Sequence, residues 1–539
     1  MVFTVHRYIF RELFRNFVLS SLALTVMLSL GSIIEPIQKY GVGPVQVIHL
    51  LGYFLPITLT FVLPIAALFS ASLVYGRFAS DNELDACRAS GISILTLVYP
   101  GLVLAIIVAI ANLVLSFHVM PVFVQRAENS FKANAKQIVF RNIQRKGFFR
   151  AEKGQYLIRA DKVDFKNNIL SGVVITEGKN GRTERIIAAD QAKIKFSSNK
   201  KFNDIQITAN NTFQMVRKEQ GGFAAESLTL SKEFGSLVGD NIKFKKIGEL
   251  KQIKENPVLF YPIEKIAREV YAQLVIELLA DDINSKMNSS PDKFYSIKCG
   301  EETIRFAATQ CRPLNDGKVE LSGDVTVIDS SMSPAREYHC STALLYIEGD
   351  EFANTLTMEL YNAKWKSPEG IDVLGRRPFI YGLLVPDSVE DIIKSQIRKK
   401  DFQIQRDVME IIRPQSVSSL VGQPKTNLSE LENNLTSLIN KTLIKIKAET
   451  HSRLIFGVGC LPMILIGIGL GILLKGGHML SAFGASAVPA ALLLIGLMMG
   501  KNIAQNPGSE VGTGIMLMWG GLIVLCGLTA IIYRKLTKN

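Results

Sequence analysis

YGRFASDNELDACRASGIS, residues Tyr75 to Ser93, carries Arg77, Asp81, Glu83, Asp85 and Arg88 in one short run. On either side the chain turns apolar for long stretches, Val47 to Tyr75 before it and Ile92 to Phe117 after it. Each flank is long enough to cross a bilayer as a helix, which takes about 20 residues. The charged run is then the turn of a membrane hairpin. Its charge density suits a loop on which a soluble partner docks, although charged loops are ordinarily just solvated.

Working outward, Phe17 to Ile34 is an apolar, helix-forming run preceded by Arg7, Arg11 and Arg15. It exceeds a signal-peptide core and has no small-residue cleavage site before Glu35, so it reads as a retained span. Pro56 and Pro64 interrupt the second span, a disturbance that neighbouring helices absorb inside a bundle. A long region of roughly 118–452 separates these three spans from three more, Leu454 to Leu474, Met479 to Gly500 and Thr513 to Tyr533. The expected fold is an α-helical membrane protein with six transmembrane helices, three plus three. Its parts are 1–117 with a cytoplasmic helix at about 77–91, an outer region 118–452, and 453–539.

Composition agrees. The 539 residues are 48% hydrophobic with mean hydropathy +0.22, high for a soluble chain. The net charge of +13 fits nucleic acid, anionic lipid or an acidic substrate, and the placement of Lys and Arg decides among them. With the N-terminus in the cytoplasm, the inner segments carry Arg7, Arg11, Arg15, Arg77, Arg88, Lys475, Arg534, Lys535 and Lys538. The short outer loops carry only Lys39 and Lys501. This bias follows the positive-inside rule and places the Arg77–Arg88 loop and both termini in the cytoplasm, with 118–452 outside.

The outer region reads as β structure. Tyr156 to Val163, Val173 to Ile175, Arg185 to Lys195 and Asp204 to Thr208 are short and β-branched, with Asn180-Gly181 as a hairpin turn between two of them. Leu356 to Leu360 alternates apolar with polar residues. A jelly roll or open sandwich is the simplest assembly. Two helices interrupt it. One follows Pro262, with Ile263, Ile266, Ala267, Val270, Leu274, Val275 and Leu278 as a single apolar stripe; the other follows Pro386, where Ser388 and Asp391 have capping-box spacing.

The sequence resembles the LptF/LptG family of lipopolysaccharide export permeases. The resemblance rests on Arg7-Tyr8-Ile9 with Arg11-Glu12 before span one, Pro56 and Pro64, and the run Gly76-Arg77, Asp81, Glu83-Leu84, Ala86, Arg88-Ala89, Gly91 and Ser93. Glu449, His451 and Arg453 ahead of span four also carry it. It implies an ABC transporter permease of the inner membrane that extracts lipopolysaccharide and passes it to a periplasmic β-jellyroll bridge. It further implies a cytoplasmic ABC ATPase dimer, a second LptF/LptG-type permease and periplasmic jellyroll proteins of the LptC/LptA type as partners, and no nucleic acid. It also implies that no cofactor is bound directly and that ATP is hydrolysed by the partner. Arg77, Asp81, Glu83, Arg88 and Gly91 map onto the family's ATPase-coupling helix, with Glu83 and Arg88 suited to charge-assisted contacts.

The chain's own residues are consistent with a borrowed motor. No G-x-x-x-x-G-K-[ST] run is present. Acyl-chain burial is worth about 0.8 kcal/mol per CH₂, so a multi-chain lipid must pass from bilayer to apolar cavity to apolar groove rather than through water. Lys39, Arg126, Lys132 and Lys136 lie where a phosphorylated head group would sit. Arg141, Arg145, Lys146, Lys441, Lys445, Lys447 and Arg453 extend this collar; ordinary interfacial anchoring explains any one of them equally well.

The remaining signals are weaker. Gly467-x-x-x-Gly471 and Gly496-x-x-x-Gly500 suit close helix packing in a permease pair. The six histidines are dispersed, which disfavours a metal or catalytic cluster. Cys299, Cys311 and Cys340 allow one disulfide and one free thiol, while Cys460 and Cys526 suit small buried apolar positions. Two other classes compete: an ATPase-coupled scaffold that moves no lipid, and a membrane-anchored enzyme, which the absence of HExxH and GxSxG disfavours. The stretch of about 250–345, with the Pro262 helix and Cys299 to Cys340, departs from the family's single jelly roll and reads as an insertion or second lobe.

Overall fold

Hydrocarbon offers peptide groups no hydrogen-bond partner, so long apolar runs cross it as helices. The computed structural model describes residues 2–40, 44–133, 135–151, 156–179, 182–198, 203–216, 222–234, 241–289, 292–330, 335–347, 355–366, 372–374, 379–395, 425–474, 479–506 and 511–538. It forms two compact units, Met1–Leu250 with Ile444–Asn539, and Lys251–Leu443. Among the described residues, 6 helices are long and apolar enough to span a membrane, three on each side of the β-rich region.

The spans belong to α1 (Val2–Tyr40), α2 (Pro44–Ser80), α4 (Ile94–Val114), α10 (Leu428–Leu473), α11 (Met479–Gln505) and α12 (Val511–Lys538), with the short α3 (Glu83–Ala89) between α2 and α4. Of these, α2 and α10 are the most enclosed, and α1 and α12 the least.

Helix-internal prolines free carbonyls four residues back, and neighbouring helices take them up. Pro64 leaves Thr60 without its usual donor, and Asn112 Nδ2 donates to the Thr60 carbonyl at 2.6 Å. Pro100 does the same to Thr96, whose carbonyl lies 2.8 Å from His6 Nε2. His6 and Asn112 are thus structural donors inside the bundle.

The glycines work within the chain. A Cβ on Gly467 would stand 2.8 Å from the side chains of Leu68 and Ser72, and one on Gly471 would stand 3.1 Å from the backbone of Ser72 and Gly76. The Gly467/Gly471 face therefore seats α10 on α2 and is not free for a second permease. Gly500 serves the α11–α12 crossing in the same way, whereas nothing lies within 4 Å of a Cβ on Gly496.

After α5 (Met120–Ala133) and α6 (Ala135–Lys146), the first unit continues into β1 (Phe148–Ala151), β2 (Tyr156–Asp164), β3 (Ile169–Lys179), β4 (Arg182–Ser198), β5 (Asn203–Val216) and β6 (Gly222–Phe234). These strands lie side by side in sequence order, an antiparallel up-and-down meander. Alternation buries one face, where Ile158, Leu170, Val173, Ile187, Ile194 and Ile207 pack with Val139, Phe140 and Ile143 of α6. The expected hairpin joins β3 to β4 through the Lys179–Arg182 pair; Asn180-Gly181 lies outside the described residues.

The β-rich stretch continues in the second unit with α8 (Tyr261–Ser289), which follows α7 (Ile247–Glu255), and with β7 (Tyr295–Cys299), β8 (Glu302–Ala307), β9 (Gln310–Pro313), β10 (Lys318–Asp329), β11 (Arg336–Ile347), β12 (Thr355–Tyr361), β13 (Lys364–Lys366), β14 (Asp372–Leu374) and β15 (Phe379–Leu384). Strand β10 pairs with β8 and β9 along one edge and with β11 along the other. Pairing of β11 with β12, β12 with β15, β15 with β7 and β7 with β8 closes the ring. Full closure removes the exposed edges on which other chains pair. The segment expected as one outer region is thus an open meander in one unit and a closed barrel in the other.

Helix α8 departs from a single apolar stripe: Tyr271, Gln273, Ile276, Glu277 and Leu279 are buried along with the expected positions other than Ile266, which is half-buried. Helix α9 (Asp387–Ser395) begins directly after Pro386, whose carbonyl accepts from Val389 and Glu390. Ser388 is inside the first turn, and its hydroxyl accepts from Lys286 instead of closing a capping box.

All six cysteines are free thiols, so the disulfide left open by the sequence is not formed. Cys460 is buried as expected; Cys526 is exposed on α12. Burial pushes the thiols of Cys311 and Cys340 up to about 12 and about 11. Reaction runs through the thiolate. Native labelling with maleimide at pH 8 is therefore expected to modify Cys311 and Cys340 on the order of 100-fold more slowly than an unfolded thiol. Mass spectrometry of labelled peptides checks this; equal rates would contradict the buried placement.

Candidate functional site: a charged helix and a buried cation cluster

Helix α3 is short because its ends are cut sharply. Asn82 stands at its start with φ 58, and Gly91 stands past its end with φ +82, a conformation that glycine adopts without a Cβ penalty. Ile92 N–H donates back to the Cys87 carbonyl at 3.1 Å, which completes the C-terminal cap. Ser93 then caps α4 by accepting from Thr96 N–H at 3.2 Å.

Leu84 is the buried anchor of α3 and belongs to a core cluster against which Cys87, Ile92 and Ile94 also pack. Glu83, Arg88, Asp81 and Gly91 are exposed. A groove of about 180 Å³ opens beside the helix, floored by Ala79, Leu84, Leu97 and Leu536 and edged by Asp85 and Arg88.

Arg77 stands apart from the other four. It lies in the last turn of α2, with its guanidinium 3.7 Å from Glu12 Oε2 on α1 and 5.4 Å from the ring of Phe78. Glu12 is buried, and that oxygen makes no hydrogen bond, so Arg77 and Arg15 supply its compensation through space. Glu12→Ala is expected to lower stability by about 1 kcal/mol. Exchanging the two charges, Glu12→Arg with Arg77→Glu, is expected to recover much of that loss. Thermal unfolding in detergent reads both, and a single variant as stable as wild type would remove the pair from the account.

The opposite end of α4 leads to a second charged centre. There the backbone winds as a π-turn over Leu115–Val119, a local change of register that often marks functional sites. Arg453 of α10 donates from Nη1 to the Ser116 carbonyl at 3.3 Å and to the Lys245 carbonyl at 3.2 Å, and from Nη2 to the Lys243 carbonyl at 2.6 Å. Its Nε meets Glu449 Oε1 at 3.2 Å, one helical turn away. Lys501, at the end of α11, holds the other carboxylate oxygen of Glu449.

Lys243 completes the group. Its ammonium lies 5.3 Å from the Phe61 ring and 5.7 Å from the Phe244 ring, and among the described residues it pairs with no carboxylate. Burial and the nearby Lys501 pull it below the usual lysine range. Three cations thus face one carboxylate in a largely enclosed setting, an arrangement that favours an incoming anion.

Sequence reasoning placed Arg453 in the lipid-facing collar, but its donors are committed to backbone carbonyls. Lys243 was not singled out, because its position depends on rings that lie far away in sequence. The spacing of Glu449 and Arg453, one turn apart on a helix, was the available signal.

Of the four head-group candidates, Arg126 is exposed on α5 with its guanidinium over Phe123, and Lys136 is half-buried on α6. Lys39 lies in α1 and Lys132 in α5, and their side chains fall outside the described residues. Among the described residues no group of His, Cys, Asp and Glu suits a metal ion.

No curated protein matches the chain. A family model described as "Lipopolysaccharide export system permease LptF/LptG" matches residues 7–256 and 387–535, about three quarters of the sequence. The break in that match coincides with α8 and the barrel. With the six spans, the intervening β meander and a match on both sides of the insertion, the chain belongs to the LptF/LptG family of lipopolysaccharide export system permeases.

Proposed function

We propose that this chain is the permease subunit of an ATP-driven exporter in the inner membrane, with α3 and both termini in the cytoplasm and the β-rich parts in the periplasm. The observation that carries the coupling is α3 itself: a capped, charged helix whose one buried side chain, Leu84, seats it against the spans. A cytoplasmic ABC ATPase dimer docks there on Asp81, Glu83, Arg88 and Gly91 and binds and hydrolyses the ATP. Arg77 ties the last turn of α2, which leads into the docking helix, to α1 through Glu12.

At the other end, phosphates of lipopolysaccharide meet the excess positive charge of Lys243 and Lys501, with Arg126, Lys136, Lys39 and Lys132 as the outer collar. A second LptF/LptG-type permease completes the lipid path, and periplasmic jellyroll proteins of the LptC/LptA type receive the lipid. The chain itself performs no chemistry.

Glu83→Lys tests this reading. It reverses the charge at an exposed position and leaves the packing of Leu84 intact, so membrane insertion is expected to be normal. Recovery of the ATPase with the permease should fall at least 10-fold, about 1.4 kcal/mol of docking energy. Undiminished recovery with normal ATP-driven release would overturn the assignment.

A further inference from the structure

Within the second unit, α8 holds the segment that leads into α10. Helix α8 buries two polar side chains, Gln273 and Glu277, each about 2% exposed or less. Groups so enclosed are normally retained only with partners. Glu277 accepts from the backbone N–H of Thr426 at 3.1 Å and of Lys425 at 3.3 Å, and from the Thr426 hydroxyl. Gln273 donates to the Thr426 hydroxyl at 3.0 Å and to the Leu314 carbonyl at 2.8 Å, and it accepts from Gly317 N–H at 3.0 Å. Asn427 N–H donates to Asn315 Oδ1 at 3.0 Å.

These contacts converge on residues 425–427, the segment from which α10 starts at Leu428. The first turns of α10 bury one side, with Leu428 and Leu435 fully buried, while Ser429, Glu430, Asn433 and Asn434 are exposed. From there α10 runs for 46 residues without interruption to Leu473. A carboxylate near the start of a helix also suits its dipole.

Thr426 and α10 lie in the part shared with the family, whereas Gln273, Glu277 and Asn315 lie between 256 and 387, where the family match is broken. The acceptors and donors that hold the start of α10 therefore come from the stretch outside the family match.

We propose that the inserted α8–barrel unit is a clamp on the N-terminal end of the span-four helix, with Glu277 and Gln273 as positioning residues. The clamp fixes where α10 begins and restrains its motion during a transport cycle. The transport part of this inference rests on the exporter reading above; the clamp itself does not.

Two measurements on the full-length chain test it. Hydrogen exchange on the purified protein compares Glu277→Ala with wild type. Exchange at 426–435 is expected to rise at least 10-fold, with β10 and β11 unchanged and Glu277→Gln intermediate. The exposed ion pair Lys425–Asp281 serves as control, and Asp281→Asn is expected to change exchange less than 2-fold. Unchanged exchange at 426–435, or a rise extending through β10 and β11, would overturn the clamp.

In vesicles containing the complete ATPase complex, Glu277→Ala is expected to lower ATP-dependent release of labelled lipopolysaccharide at least 5-fold per ATP hydrolysed. Equal release per ATP would overturn the positioning role. Absence of ATP-dependent release by wild type would instead refute the exporter reading and leave exchange to decide the clamp.

Discussion

Arg453→Ala is expected to destabilise the first unit by about 3 to 5 kcal/mol, the usual cost of breaking a buried ion pair by removing one partner. The guanidinium serves Glu449 and three backbone carbonyls, those of Ser116, Lys243 and Lys245. Alanine would leave these acceptors without their donor and create a void beside Phe117, whose ring lies 5.6 Å from the guanidinium. Lysine should recover little, because one ammonium does not reproduce the planar fork that reaches several acceptors. Thermal unfolding in detergent checks both substitutions. A change below about 1 kcal/mol, the level of a surface pair, would show that the cluster is solvated in the native state.

Gly514→Val is expected to disrupt the crossing of α11 and α12. A Cβ at Gly514 would stand 2.5 Å from Ala504 N and 2.5 Å from the Gly500 carbonyl oxygen, and backbone atoms cannot yield as a side-chain tip does. Overpacking a tight site typically costs 1 to 3 kcal/mol, so roughly 3 kcal/mol or more is expected for a branched side chain here. Gly496→Ala is the matched control, because nothing lies within 4 Å of the added atom. Folded yield in detergent reads the pair. Equal tolerance at Gly496 and Gly514 would contradict the close approach.

The contrast between these two glycines shows what the sequence could and could not convey. Gly496-x-x-x-Gly500 and Gly467-x-x-x-Gly471 announce close contact, but the spacing does not name the partner. The structure assigns Gly467 and Gly471 to α2 of the same chain and leaves Gly496 open. The spans were legible because their apolar runs are long and local, and the β3–β4 hairpin because Asn180-Gly181 marks a turn between sequence neighbours.

The barrel closure was not legible in that way. It depends on pairings such as β8 with β10 and β15 with β7, which no local pattern announces. The same limit applies to the charged sites. Glu83 and Arg88 fall on an exposed helix as their sequence context suggested. Arg77 does not, because α2 continues as helix through Ser80 and carries it to Glu12, a partner more than sixty positions away. The carbonyl freed by Pro64 could be foreseen, but its capture by Asn112 could not.

In the proposed function, a soluble ATPase acting on α3 drives lipid out of the membrane through this chain. The most direct measurement is release of labelled lipopolysaccharide to a soluble jellyroll acceptor from vesicles holding this permease, its permease partner and the ATPase. Release is expected to require ATP and to be abolished by Glu83→Lys, with the variant permease still fully inserted. Release at the same rate without ATP, or undiminished in Glu83→Lys, would contradict it.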